Sequence, residues 1–236
     1  MGRVLTSEIL DVLSPDDPRA QRSRRDLMLI NAAMCQSRIM AEVLSAFPAP
    51  KLMADLGGGD GRFMLRVAKR LAKHWPGVTL MIADRRAIVS AETRAGFARL
   101  GWACESLTGD VLESLPLITP DIVTANLFLH HLDDGTLVRL LALLKQQAAG
   151  FVACEPRRSA LGLLGARMVF ALGANGVTRH DAVASVRAGF RGREISDLWP
   201  AGAPDWRLSE RAVFPFTHLF HAMASDIRMT GRKNAL

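Results

Sequence analysis

Tyrosine is absent, cysteine occurs three times in 236 residues, and no stretch offers about 18 uninterrupted apolar residues. Cys35, Cys104 and Cys154 are scattered without a CxxC pair. That argues against a disulfide framework or a structural zinc site and makes a reducing cytoplasm the simplest home. The longest apolar candidate, Leu161 to Ala174, is interrupted by Arg167, so no transmembrane segment is expected. The N-terminus lacks the apolar core of a signal peptide, because Arg3, Glu8, Asp11, Asp16 and Asp17 break it. Met1 to Thr6 fits the short myristoylation pattern, which has meaning only in a eukaryotic host. A net charge of +7 invites a nucleic-acid partner, but the basic residues are spread out and none of their short clusters alternates with aromatic rings for base stacking. A mildly basic surface is the simpler reading, and nucleic acid is not the expected partner.

What is present suits one sizeable soluble domain, with 49% hydrophobic and 22% charged residues. Residues 1–50 read as a helical preface, with helical spacing from Asp26 to Leu44 and a stop at Phe47-Pro48-Ala49-Pro50. From Lys51 short strands and helices alternate. Strands are predicted at Lys51–Leu56, Val78–Ala83, Trp102–Leu107, Asp121–Asn126 and Phe151–Cys154, and helices at Arg62–His74, Ile88–Leu100 and Leu137–Gln147. Such alternation implies βαβ units, a mainly parallel sheet and a ligand at the carboxyl ends of its strands. After Pro156 the rhythm changes. Helices are predicted at Ser159–Ala174, at about Asp181–Ala188 and up to Trp199-Pro200, with Asn175-Gly176 as a turn, and two strands at Trp206–Val213 and Thr217–Met223. The last residues, Thr230–Leu236, are expected to fray.

The stretch Met53-Ala54-Asp55-Leu56-Gly57-Gly58-Gly59-Asp60-Gly61 lies between a strand and a helix, where glycines allow close approach of a ligand. The dinucleotide fingerprint G-x-G-x-x-G is not met, because Arg62 stands where its third glycine belongs. No Gly-Lys-Ser/Thr follows, which excludes a P-loop. A carboxylate beside a pyrophosphate would cost on the order of a few kcal/mol, so Asp55 and Asp60 suit a ligand that lacks phosphates and carries positive charge. S-adenosylmethionine, with its ammonium and sulfonium, is such a ligand.

Asp55 to Gly61 resembles the D/E-x-G-x-G-x-G first motif of class I S-adenosylmethionine-dependent methyltransferases. Later strands agree with that resemblance. Asp84 ends the second strand, 23 residues after Gly61, and in the family this acid takes the ribose hydroxyls. Gly109-Asp110-Val111 resembles the adenine-recognition motif, with Asp110 accepting from the exocyclic amine and Val111 offering its N–H. The fourth strand ends at Asn126, beside the family's reactive methyl group, and continues into Leu127-Phe128-Leu129-His130-His131-Leu132, similar to the LHHL phrase of small-molecule methyltransferases, including ubiquinone- and menaquinone-type enzymes. The stretch 175–200 is similar to bacterial methyltransferases associated with polyketide-derived phenols. Over Leu52–Glu155 the resemblance implies a Rossmann-like class I methyltransferase fold: a seven-stranded, mainly parallel sheet with helices on both faces. It further implies a helical N-terminal lid (1–50), a methyltransferase domain (51–236) and a helical insertion (about 159–193) forming part of the acceptor pocket.

Cofactor binding is thus expected from Asp55, Gly57, Gly58, Gly59, Asp60, Gly61, Asp84, Arg85, Asp110, Val111 and Asn126. The acceptor is expected to be a lipophilic aromatic small molecule, methylated at a phenolic oxygen or, less readily, at carbon. A base for its proton is sought in His131, His130, His180 and Glu155. His74, His218 and His221 read as structural. No compact Asp/Asp/Asn set suggests a metal, and monomer and homodimer stay open. Two rivals remain: an RNA or protein methyltransferase using the basic surface, and a catalytically silent scaffold that only binds cofactor.

Overall fold

The computed structural model describes residues 2–14, 16–86, 88–168, 173–202 and 206–225. Seven strands form one sheet: β1 (Leu52–Leu56), β2 (Thr79–Asp84), β3 (Ala103–Thr108), β4 (Ile122–Asn126), β5 (Gly150–Pro156), β6 (Trp206–Val213) and β7 (Thr217–Ala224). Their order is β3-β2-β1-β4-β5-β7-β6, with β1 to β5 parallel and β7 antiparallel to both β5 and β6. The chain thus reverses direction across the sheet between β1 and β4. In doubly wound sheets that crevice, beyond the carboxyl ends of the strands, receives the ligand.

Ten helices are described: α1 (Ile9–Val12), α2 (Pro18–Ala33), α3 (Gln36–Leu44), α4 (Arg62–Leu71), α5 (Ala91–Ala98), α6 (Val111–Ser114), α7 (Asp134–Gln147), α8 (Ala160–Met168), α9 (Gly176–Ala188) and α10 (Glu194–Leu198). Two apolar clusters cover the sheet, one on each face. Met40, Leu44, Met64, Val67, Phe97 and Val152 belong to one. Leu137, Leu141, Phe151, Phe190, Trp199 and Phe220 belong to the other. β5 is buried along its whole length, as a strand covered on both faces must be, and its sequence carries no polar alternation to mark an exposed side.

Several boundaries differ from the sequence reading. The helix expected over Asp26–Leu44 is two helices, because Cys35 takes a left-handed conformation (φ 52°) between α2 and α3. Asn175-Gly176 opens a helix instead of making a turn. The Asn175 side chain accepts from Thr178 N at 2.8 Å, so α9 begins five residues earlier than expected. Caps also move two other starts: Ser90 delays α5 to Ala91, and Asp133 advances α7 to Asp134. The short helices α1 and α6 are too brief for periodicity to reveal. The end of the helix expected over Ser159–Ala174 includes residues 169–172, and these, like the frayed end expected at Thr230–Leu236, lie outside the described residues.

Candidate active site

The glycine loop begins with β1, whose last turn buries Asp55 under the loop. The Asp55 carboxylate accepts from Thr124 Oγ1 at 2.7 Å, and a Cβ on Gly58 would stand 2.5 Å from its Oδ2. Burial pushes the Asp55 carboxyl up to about 7, against the Thr124 hydrogen bond. Gly57, Gly59 and Gly61 all have positive φ, at 65°, 56° and 73°. Gly57 lies against the Phe128 ring, where a Cβ would meet Cδ2 at 2.4 Å, whereas nothing lies within 4 Å of the Cβ position on Gly59. The first glycine is therefore a packing requirement, and the second leaves open space for a ligand. Asp60 caps the Arg62 N–H at 3.0 Å.

Asp84 projects from the end of β2 beside this loop. One carboxylate oxygen accepts from Gly59 N and the other from Arg86 N, each at 3.0 Å. Asp110 caps α6 by accepting from Leu112 N at 2.9 Å, and Arg85 pairs with it at 3.1 Å. The Leu112 N–H and then Arg85 hold the Asp110 carboxyl below its usual range. Val111 is buried at the start of α6. Asn126, at the tip of β4, has a buried Oδ1 without a partner among the described residues. A buried acceptor of this kind normally finds a donor.

After Asn126 the chain turns sharply. Leu127 is left-handed (φ 53°), an uncommon state for a branched aliphatic residue, and Leu127 N bonds Cys154 O on β5 at 2.9 Å. The turn brings His130 back to Glu155. His130 Nδ1 lies 2.7 Å from Glu155 Oε2, while Glu155 Oε1 accepts from Phe128 N and Leu129 N at 3.0 and 2.8 Å. Burial would raise the Glu155 carboxyl, but the His130 contact and these N–H groups hold it down. His130 is pushed up to about 9: burial opposes its charge, but Glu155 and then Glu8 outweigh it. His131 stacks on it at a ring separation of 4.2 Å and faces outward.

A cavity of about 490 Å³ lies beside these groups, and of the residues expected to bind the cofactor it is lined by Asp84 and Arg85, not by the glycine loop, Asp110, Val111 or Asn126. Its lining runs from Asp84, Arg85 and Ile88 after β2 to Phe128, His130 and His131 after β4. The N-terminal segment, including Leu5 and Glu8, forms another wall. His130 and His131 are thus brought together with Asp84, whereas Glu155 stands behind His130. His180 lies on the exposed side of α9, its Nδ1 2.9 Å from Asp181, and is not part of the lining. His218 is buried against Glu210 at 2.7 Å. Glu8 was not visible in the sequence as a site residue, since 122 positions separate it from His130 and no motif marks it. Ligating atoms of Glu8, His130 and His131 lie within 4.8 Å of one another, close enough for a cation. With Nδ1 held by Glu155, His130 presents Nε2 to Glu8, where it can carry a proton or lend a lone pair.

The sheet order and the acid-bearing glycine loop define a class I methyltransferase fold. The O-methyltransferase domain family model matches residues 12–152, more than half of the chain, and the chain belongs to that family. Among solved structures, an O-methyltransferase family protein from Burkholderia thailandensis aligns with a TM-score of 0.56 and 19% identity, over 89% of this chain and 61% of its own. Human N-acetylserotonin methyltransferase, in complex with SAM, aligns at 0.55 and 18% over 90% and 60%. The plantazolicin methyltransferase BpumL, in complex with SAH, aligns at 0.63 and 12% over 89% and 91%. At these identities the likeness is one of fold. The chain spans about three fifths of the length of several of the O-methyltransferases it resembles, 61% in the case of the mitomycin 7-O-methyltransferase. No curated protein sequence matches it.

Proposed function

We propose that the protein transfers a methyl group from S-adenosylmethionine to an oxygen of a lipophilic aromatic small molecule, most plainly a phenol of a polyketide- or quinone-type metabolite. The observation that carries this reading is the single cavity in which Asp84 and the His130–His131 pair both stand. Asp84 and Arg85, expected beside an adenosyl ligand, line it together with the histidines expected beside an acidic hydroxyl. S-adenosylmethionine suits the Asp84 side. The positive-φ loop admits backbone close to a ligand, Asn126 Oδ1 awaits a donor, and Asp84 favours positive charge over phosphate. Fold neighbours named for small-molecule methylation, among them the mitomycin 7-O-methyltransferase, support the acceptor class.

When bound, the cofactor supplies an activated methyl group. The chain's own residues divide the remaining tasks. Asp55 and Gly57 to Gly61 hold the amino-acid end, Asp84 the ribose and Asp110 with Val111 the adenine, with Arg85 closing over Asp110. Leu5, Ile88, Phe128 and Leu132 provide apolar walls that exclude water and suit an aromatic acceptor. Glu155 fixes the His130 ring through Nδ1, so that Nε2 is turned to the cavity to take the acceptor proton. His131 adds a polar group at the rim. In this reading residues 1–50 serve in part as a lid, residues 51–236 carry the methyltransferase domain, and the segment 159–193 helps to close the acceptor side.

Calorimetry with S-adenosylmethionine, S-adenosylhomocysteine and NADH tests the cofactor assignment. Micromolar binding of the two adenosyl ligands alone, weakened at least about tenfold by Asp84→Ala, is expected. Folded protein that binds neither would remove the basis of the proposal. Turnover on a phenol panel then separates an enzyme from a silent scaffold. Strongly salt-dependent RNA binding would point instead to the nucleic-acid rival.

A further inference from the structure

The helix that follows β5 leaves an apolar face bare. α8 turns Gly162 and Ala166 inward, and a Cβ on Gly162 would meet Arg157 O at 2.6 Å and Val186 Cγ1 at 3.2 Å. Residues three and four apart share one side of a helix, so the opposite side carries Leu161, Leu164 and Met168 together. These three are 45%, 56% and 59% exposed, and the exposed Arg167 borders them. The turn between β6 and β7 adjoins the same helix. Gly165 packs on the Phe216 ring, where a Cβ would stand 2.8 Å from Cζ. At the tip of that turn Phe214 is 82% exposed, and among the described residues no large apolar side chain is more open.

Charge around this face has one sign. Neither residues 156–180 nor residues 211–225 include an aspartate or a glutamate. Glu155, Asp181 and Glu210 stand at the ends of those segments, and each has a buried side chain engaged by a histidine. Arg167 and Arg211 are exposed, as is Arg22, whose Nη2 donates to Gly173 O at 3.4 Å just beyond α8. An apolar strip with a cationic rim matches a bilayer surface that bears anionic headgroups. A second copy docked through the same face would set these arginines against their own equivalents. The strip also lies on the edge of the sheet that carries the cavity. Arg157 N donates to Phe216 O at 2.8 Å, which places the turn at the carboxyl end of β5. α9, packed on α8, ends at Ala188 in the cavity wall.

We infer that α8 and the β6–β7 turn form a docking surface for an anionic lipid bilayer. Leu161, Leu164, Met168 and Phe214 enter the boundary between headgroups and acyl chains, while Arg167, Arg211 and Arg22 meet the phosphates. No helix among the described residues is long and apolar enough to cross a membrane, so this contact is peripheral. It is also reversible. Four side chains bury too little apolar area for permanent anchoring, and each arginine near the surface adds about fivefold to the affinity. Residence there brings the cavity to the phase in which a lipophilic acceptor dissolves. That consequence rests on the methyl-transfer reading, whereas the docking itself does not.

The test is co-sedimentation of the full chain with vesicles of equal parts phosphatidylglycerol and phosphatidylcholine, compared with phosphatidylcholine alone. Wild type is expected to bind the mixed vesicles at least about tenfold more tightly than the neutral ones. The double variant Leu164→Asn with Phe214→Asn should lose at least about tenfold on the mixed vesicles, and Arg167→Gln about fivefold. Leu117→Asn, at an open leucine outside this face, should bind as wild type does. All four side chains are exposed, and the melting temperatures should match that of wild type. Failure of wild type to bind the mixed vesicles would overturn the assignment. So would equal binding by the double variant, because net charge alone would then account for the affinity. A dimer in sedimentation velocity that the double variant splits would also overturn it and give the face to a second copy of the chain. Vesicle binding without affinity for S-adenosylmethionine would sink the methyl-transfer reading alone.

Discussion

Thr124 on β4 gives its hydroxyl proton to Asp55 on β1 across 2.7 Å, and both side chains are buried. The contact does not fully offset the burial of a carboxylate, and the Asp55 carboxyl rises to about 7. A carboxyl raised in the folded state keeps a proton that the unfolded chain has already released. Its contribution to stability is therefore complete below about pH 4, is lost as pH rises to about 7, and is constant above that. Asp55→Asn keeps an oxygen for Thr124 and removes the titration. We predict that it raises the stability of the cofactor-free protein at about pH 8 by roughly 1–3 kcal/mol and flattens the slope between about pH 4 and 7. Urea denaturation across that range checks it, and an unchanged slope would place the titration elsewhere.

Gly57 and Gly59 share a left-handed backbone but not a neighbourhood, so alanine should act differently at each. At Gly57 a methyl group meets the Phe128 ring as well as the wrong φ, and a loss of about 2–4 kcal/mol is expected. At Gly59 only the backbone cost of about 1 kcal/mol applies, because the space ahead is open. Gly59→Ala should therefore fold nearly normally yet bind S-adenosylhomocysteine at least about tenfold more weakly. Thermal melts beside calorimetry separate the two effects. Equal melting losses would show that the loop packs against protein at both positions.

Where the residues expected to bind the donor would stand was legible because it is local. Asp55 to Gly61, Asp84 and Gly109-Asp110 each sit at a strand end, and parallel βαβ topology places such ends along one edge. The sheet was legible for the same reason, since β-rich runs between turn residues fix both the strands and their order of appearance. The histidine side of the cavity was harder to read. His130 and Glu155 were visible as candidates, but their pairing depends on the left-handed bend at Leu127, which no propensity announces. Glu8 and Asp181 were hidden further, because their partners lie more than a hundred positions away in sequence and contact of that range has no periodicity. The break at Cys35 and the early start of α9 are single-residue backbone events that apolar spacing averages over.

Glu155→Gln tests what keeps His130 charged. The amide can still accept from Phe128 N and Leu129 N, so the turn should survive, but the buried imidazolium loses its nearest anion. Breaking a buried pair from one side costs about 3 kcal/mol, and the His130 proton should then be lost at much lower pH than in wild type. The wild-type sign is the same as that of Asp55, in a higher pH window. The contribution of His130 is complete below its unfolded value near 6.5 and is lost as pH rises through about 9. NMR titration of the ring protons reads the shift directly. A His130 still charged well above neutrality in the variant would mean that Glu8 alone suffices.

Arg3 separates the ties that matter from those that only look strong. Its shortest ion pair, 2.6 Å to Asp134, has a partner that is 73% exposed, and such pairs contribute about 0–1 kcal/mol at best. Arg3 itself is largely buried, and its bonds to Ala188 O at 2.9 Å and Leu132 O at 2.5 Å, with its cover over the Phe190 ring at 4.6 Å, tie down the N-terminal segment. We therefore predict that Asp134→Ala changes stability by less than about 0.5 kcal/mol, whereas Arg3→Ala costs about 1–3 kcal/mol. Arg3→Ala should also loosen the segment that carries Glu8, exposing residues near the N-terminus to limited proteolysis while the sheet stays folded. Urea denaturation gives the first pair of values, and the cleavage pattern gives the second result. If Asp134→Ala proved as costly as Arg3→Ala, the N-terminal segment would be held by surface charge, and raising the salt concentration would release it.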